Sequence, residues 1–279
     1  MYISETQNCF TRLVFSIFSY RLSPQYPYPV PLEDCLEAVN YLIDHANQLN
    51  IDPSRVAVGG DSAGGNLAAS VSLVMKERIK AQLLLVPALQ FFTFNTTSVI
   101  ENQHYLSKST NNVFQVVFWT NYLKCDRNYI MDIINSNHTS PALKMSAHAH
   151  KVDQNKWMDK AHIHSEIGRD LTQQTHFGRT DMTKDFTDKM LDPYVSPLMA
   201  DDTALQGLPR AYVMVAGYDL IRDDGIMYAA RLRHVGVKVK FVNHRTSFHN
   251  ALVFVEGPVA LRVAKETAQS MVNFLQLHV

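Results

Sequence analysis

The stretch VAVGGDSAGGNLAAS, Val56 to Ser70, sets a serine among glycines where an alternating apolar run gives way to small residues. Gly60, Ser62 and Gly64 satisfy G-x-S-x-G, the pattern in which a serine sits on a sharp strand-to-helix turn and the flanking glycines leave room for the tight backbone. The flanks support that turn. Arg55 to Val58 alternates like the end of a strand, and Asn66 to Glu77 repeats apolar residues along one helical face. A glycine-rich helix cap without chemistry carries the same three residues, so the reading turns on whether an acid and a histidine follow in order.

Outward from this turn, strand and helix patterns alternate. Arg12 to Tyr20 reads as a strand, and the proline-punctuated RLSPQYPYPVP after it excludes regular helix. Leu32 to Leu49 has apolar residues at helical spacing, opened by Pro31, Glu33 and Asp34. Strands are predicted at Val56 to Val58 and Ala81 to Leu89, with a helix over Asn66 to Ile79 between them. Near the other end come a strand at Arg210 to Gly217, a helix at Asp224 to His234, a strand at Lys238 to Asn243 and a closing helix over Pro258 to Leu277. This order predicts the α/β class, with a mostly parallel sheet flanked by helices. Residues 1–279 read as one domain, in which 90–209 form an irregular, pocket-shaping excursion containing an amphipathic piece from Val113 to Leu123.

Composition narrows the function. The 279 residues are 46% hydrophobic and 19% charged, enough for a sizeable core. Formal net charge is +0 and no basic stripe is interleaved with aromatics, which argues against a nucleic-acid partner. Cys9, Cys35 and Cys125 lack CxxC spacing, so they specify neither a zinc site nor a disulfide framework. The pairs His148/His150 and His162/His164 lack a clear acidic or cysteine complement and read as loop histidines rather than metal ligands. Leu13 to Phe18 is too short to cross a bilayer, which takes about 20 residues, and no signal peptide is evident. Two glycosylation sequons, Asn95-Thr96-Thr97 and Asn137-His138-Thr139, have meaning only for a lumenal chain.

After the strand ending at Gly217 comes YDLIRDDG, which puts Asp219 at a strand's carboxyl end, where parallel sheets gather functional loops. Asp223 and Asp224 are rival acids; Asp219 is preferred because it lies nearest the strand. HRTSFHNAL offers His244 and His249, of which His249, after Phe248 and farther into the loop, is preferred. The chain order Ser62, Asp219, His249 is the nucleophile, acid, histidine order of α/β-hydrolases. A histidine accepts the serine proton during attack, and a buried carboxylate fixes its tautomer and stabilises the imidazolium.

With these residues in place, the sequence resembles the hormone-sensitive-lipase-like esterases, most closely the arylacetamide deacetylase group. The likeness runs through YRLSPQYPYPVPLEDCLEAVNYL, GDSAGGNLAA, YVSPLMADD, LPRAYVMVAGYDLIRDDG and SFHNAL, in order and over nearly the whole chain. It implies an α/β-hydrolase fold with Ser62, Asp219 and His249 as the catalytic serine, aspartate and histidine. It further implies hydrolysis of small carboxylic esters or aryl amides through an acyl-enzyme, with no cofactor and a small apolar substrate as partner. The group's setting is the endoplasmic reticulum, its members being anchored by an amino-terminal helix with the catalytic domain in the lumen.

Two departures stand out. Ser247 replaces the glycine usual before the Phe-His pair. The group's His-Gly-Gly-Gly loop, whose backbone N–H groups face the oxyanion, has no counterpart before Tyr20. Ala63, following the serine, supplies its own N–H as an oxyanion donor. The departure leads us to expect an amino-terminally truncated chain without the anchor, the first strands or the oxyanion loop, and with impaired turnover; the alternative is a non-catalytic chain that binds apolar small molecules or a partner. It also predicts that Arg12 to Tyr20 either moves beside Arg55 to Val58 or detaches from the sheet.

Overall fold

The computed structural model describes residues 13–102, 111–158, 182 and 184–279. Helix α1 (Val30–Asp44) starts where proline's fixed φ suits a first turn and Glu33 meets the positive end of the helix dipole. It buries Leu32, Cys35 and Val39, spaced three and four apart on one face. Strand β1 (Ala57–Asp61) runs into Ser62, and helix α2 (Ala63–Val74) begins at the next residue. Strand β2 (Ala81–Leu85), short helix α3 (Thr97–Asn102) and helix α4 (Asn111–Leu123) follow. The carboxyl-terminal part holds strand β3 (Arg210–Tyr218), helix α5 (Arg222–His234), strand β4 (Val239–Phe248) and helix α6 (Arg262–His278).

The four strands pair in parallel in the order β1-β2-β3-β4, and one row of the register is Gly60, Leu84, Val213 and Phe241. Parallel sheets are covered on both faces, and the two-residue period of a strand sends alternate side chains to each. Leu84, Ala211, Val213 and Val215 join the core packed with residues of α1, α2 and α5. Leu83, Leu85, Tyr212, Met214 and Ala216 join the opposite core with Phe274 and Leu275 of α6. Both sides of β2 and β3 are therefore dry. The carboxyl ends of the strands point to one rim, where the loops that carry chemistry collect.

Two expectations are corrected here. Arg12 lies outside the described residues, and residues 13–20 form no strand, only an isolated bridge at Ile17. Leu13 packs on one core and Phe18 and Tyr20 on the other, while Val14 and Ile17 are 52% and 68% exposed. The segment is thus held by individual side chains instead of a backbone ladder. The membrane placement is corrected as well: among the described residues no helix is long and apolar enough to cross a membrane. Even α6, at 17 residues, carries Arg262, Lys265 and Glu266 in its first turns.

Strand β4 extends five residues past its expected end, to Phe248. The excess is absorbed by an irregularity: Ala216 pairs with His244, yet Tyr218 pairs with Phe248, so three β4 residues oppose one of β3. Bulges bend a strand and re-aim its side chains. This one presses Arg245 against Gly217, where a Cβ would lie 1.9 Å from the Arg245 carbonyl oxygen. Re-pairing at Tyr218 and Phe248 places the next residues, Asp219 and His249, side by side.

Candidate active site

Ser62 stands between β1 and α2 with φ 54° and ψ −116°, a backbone state that a side chain rarely adopts and that marks stored strain. The turn is tight because a Cβ at Gly60 would come within 2.4 Å of the Gly64 backbone. At Gly65 a Cβ would meet Pro87 at 2.9 Å, whereas Gly64 has open space. The second crowded glycine is therefore Gly65, one residue beyond the pattern. The Ser62 N–H donates to the Leu85 carbonyl (2.9 Å), and the Ser62 carbonyl accepts from the Asn66 N–H (3.1 Å) and the Ala88 N–H (3.3 Å). Buried Asn66 adds Nδ2 bonds to the Ala88 and Val195 carbonyls, at 2.7 and 2.8 Å. In the sequence Asn66 is one more helical residue, marked only by its place after the second glycine pair.

The three preferred residues come together although Ser62 and His249 are 187 positions apart. His249 Nδ1 lies 2.8 Å from Asp219 Oδ2, and His249 Nε2 lies 3.0 Å from Ser62 Oγ. Asp219 is 3% exposed and its Oδ1 accepts the Ile221 N–H at 3.1 Å, while the His249 side chain is 35% exposed. A carboxylate beside Nδ1 favours the tautomer protonated there, which leaves the Nε2 lone pair for the serine hydroxyl. Burial pulls the His249 pKa down, but the hydrogen bond and charge of Asp219, with a further contribution from Asp61, outweigh it and hold the group above its ordinary value. Ala63 is the first residue of α2, so its N–H has no partner within the helix and lies beside the serine.

The rivals have other employment. Asp223 is buried, ion-paired with Arg222 and bonded to the Ser98 N–H at 2.6 Å. Asp224 accepts from the Leu89 N–H and Gln90 Nε2, and burial pushes its carboxyl up to about 7. His244 Nε2 meets Thr267 Oγ1 of α6 at 2.8 Å. Among the described residues no group of three or more His, Cys, Asp or Glu is placed to hold a metal ion; His162 and His164 lie outside them.

This geometry agrees with what the chain is similar to. A family model described as an alpha/beta hydrolase fold matches residues 10–152 and 140–253. Bovine arylacetamide deacetylase is 37% identical over 258 residues, covering 89% of this chain and 62% of that protein. Rat neutral cholesterol ester hydrolase 1 is 32% identical over 265 residues, covering 92% and 63%. The chain thus spans somewhat under two thirds of the curated relatives it matches. A hyperthermophilic esterase from Pyrobaculum calidifontis superposes with a TM-score of 0.60 at 23% identity, over 93% of this chain and 63% of that one, a likeness of fold. A structural study of two fungal esterases from Rhizomucor miehei provides another match, with a TM-score of 0.60 at 25% identity over 93% and 61%. By the family model, which covers most of its length, and by a parallel sheet bearing a serine on a strained turn, the chain belongs to the alpha/beta hydrolase fold family.

Proposed function

We propose that this protein is a serine hydrolase that cleaves small carboxylic esters or aryl amides through an acyl-enzyme. The observation that carries the reading is the continuous hydrogen-bonded line from Asp219 through His249 to Ser62 Oγ. Ser62 Oγ attacks the substrate carbonyl carbon while its proton passes to His249 Nε2. The carbonyl oxygen becomes an oxyanion facing the Ala63 N–H, the donor next to the nucleophile. Collapse breaks the bond to the alcohol or amine, which takes the proton from His249. Water, deprotonated by the same imidazole, then releases the acid and restores Ser62. Asp219 fixes the tautomer and stabilises the imidazolium. The substrate class is supported by the names of the relatives, one a deacetylase of arylacetamides and the other an ester hydrolase.

The test is covalent labelling by a fluorophosphonate. The full chain should become labelled at Ser62, and Ser62→Ala should abolish labelling with an unchanged circular dichroism spectrum. Labelling that survives the substitution, or a folded wild-type chain that does not label, overturns the reading. Hydrolysis of p-nitrophenyl acetate should follow the same pattern once the Ser62→Ala background is subtracted.

A further inference from the structure

We infer that α3 is a positioning device for Asp219, with Asn102 as its principal positioning residue. The inference deepens the proposed function and rests on it for the role of Asp219. Ser98, Glu101 and Asn102 are spaced three and four apart, so they share one face of α3. That face grips the loop from Gly217 to Asp223. Asn102 Nδ2 donates to the carbonyls of Gly217 and Asp219, each at 3.1 Å, which uses both hydrogens of its amide. Ser98 Oγ donates to the Leu220 carbonyl at 2.6 Å, and the Ser98 N–H donates to Asp223 Oδ2 at 2.6 Å. Glu101 Oε2 pairs with Arg222 Nη1 at 2.8 Å, and Arg222 in turn donates to the Gly217 carbonyl at 3.3 Å. Ser98, Asn102, Arg222 and Asp223 are all 1% exposed or less.

The ties bracket Asp219. One falls on its own carbonyl, one two residues before it and the others on the residues that follow. The carboxylate itself meets the Ile221 N–H and His249, so its direction follows from the main chain that α3 holds. A buried amide joining two carbonyls is costly to lose, because both acceptors would need new partners away from water. Catalysis is sensitive to small displacements of a group that orients the base. The charges acting on the imidazole are Asp219, from the end of β3, and Asp61, from the end of β1.

The experiment is an imidazole nitrogen NMR titration of the full chain, with the His249 signal identified by its loss in His249→Gln. Asn102→Ala should lower the His249 pKa by about one pH unit, since loss of an aligned carboxylate lets burial prevail. Ser98→Ala should move it the same way by less, and Asp219→Asn marks the limit. Thr139→Ala, which removes a buried bond to the Phe92 carbonyl far along the chain from this loop, should lower Tm and leave the His249 pKa in place. Fluorophosphonate labelling of Asn102→Ala should slow by about 10²-fold. If Asn102→Ala does not fold, Ser98→Ala decides the matter. Folded variants with lowered Tm and an unmoved His249 pKa would overturn the inference, leaving α3 a merely structural support. The titration reads the Asp219–His249 pair whether or not Ser62 reacts, so its failure is distinct from a failure of labelling.

Discussion

A histidine held by one carboxylate and facing one serine makes a definite statement about pH. Because Asp219 and Asp61 hold the His249 pKa above its ordinary 6.5, the neutral imidazole that the proposed mechanism needs to accept the serine proton becomes available only at higher pH. Labelling of Ser62 should therefore rise with pH through a midpoint above 6.5 and then level off. Stability runs the other way. A pKa raised in the folded state contributes stabilisation that is fully present below the unfolded value and is lost as pH rises through the folded one. A time course of labelling across pH tests the point, and a midpoint at or below the ordinary histidine value would show that burial dominates. At this scale the sharp turn at Ser62 is legible from its glycines. The choice between His244 and His249 rested on distance along the loop, and the structure supplies a different discriminator: His244 is turned to Thr267, and His249 follows directly on the end of β4.

Between elements, the junction of β1 and α2 separates glycines that look equivalent in the sequence. Gly60→Ala would drive a methyl group into the Gly64 backbone, where neither side can yield, and overpacking of that kind costs ~1 to 3 kcal/mol. Gly64→Ala enters open space within α2, where alanine is favoured over glycine by roughly 0.5 to 1 kcal/mol. Thermal melts should accordingly show a lower Tm for Gly60→Ala and an equal or higher one for Gly64→Ala. Equal losses in both would mean that the turn relaxes in solution. The motif marks the turn correctly, but which glycine is crowded depends on Pro87, which β2 and its register bring behind α2. Helix α3 illustrates the limit of pattern reading. Its six residues, TSVIEN, are too few to display a periodicity, and their value lies in a loop more than a hundred residues away.

For the molecule as a whole, the stability of the sheet is uneven. Strands β2 and β3 are covered on both faces, whereas β1 forms an edge of the described sheet and residues 13–20 make no ladder beside it. Such edges and exposed apolar side chains promote association. Amides from Leu13 to Phe18 should exchange hydrogen much faster than those from Val213 to Val215, which lie in the middle of β3 with side chains almost wholly buried. The chain expressed alone should also be prone to aggregate. Hydrogen exchange followed by mass spectrometry, with light scattering of the same sample, checks both; uniform slow exchange in a monodisperse monomer would show that the segment is paired after all.

The alternation of strands and helices, the sharp turn at Ser62 and the order in which a serine, an acid and a histidine appear can all be read along the chain. These are local matters, carried by period, by glycine and proline, and by the ends of apolar runs. One of them is overread: residues 13–20 reach the two cores through Leu13, Phe18 and Tyr20, and such packing does not require a backbone partner. How the distant residues meet is set by packing and strand register across the folded chain. The bulge that pairs Tyr218 with Phe248 sets Asp219 beside His249, the strand register sets Pro87 against Gly65, and burial gives Asp223 and Asp224 to other partners. Apart from the pairing of Asp223 with its neighbour Arg222, these contacts join segments that the chain separates by tens of residues to more than a hundred, and the free energy that selects them comes from filling a shared core and satisfying buried polar groups, which no local pattern records.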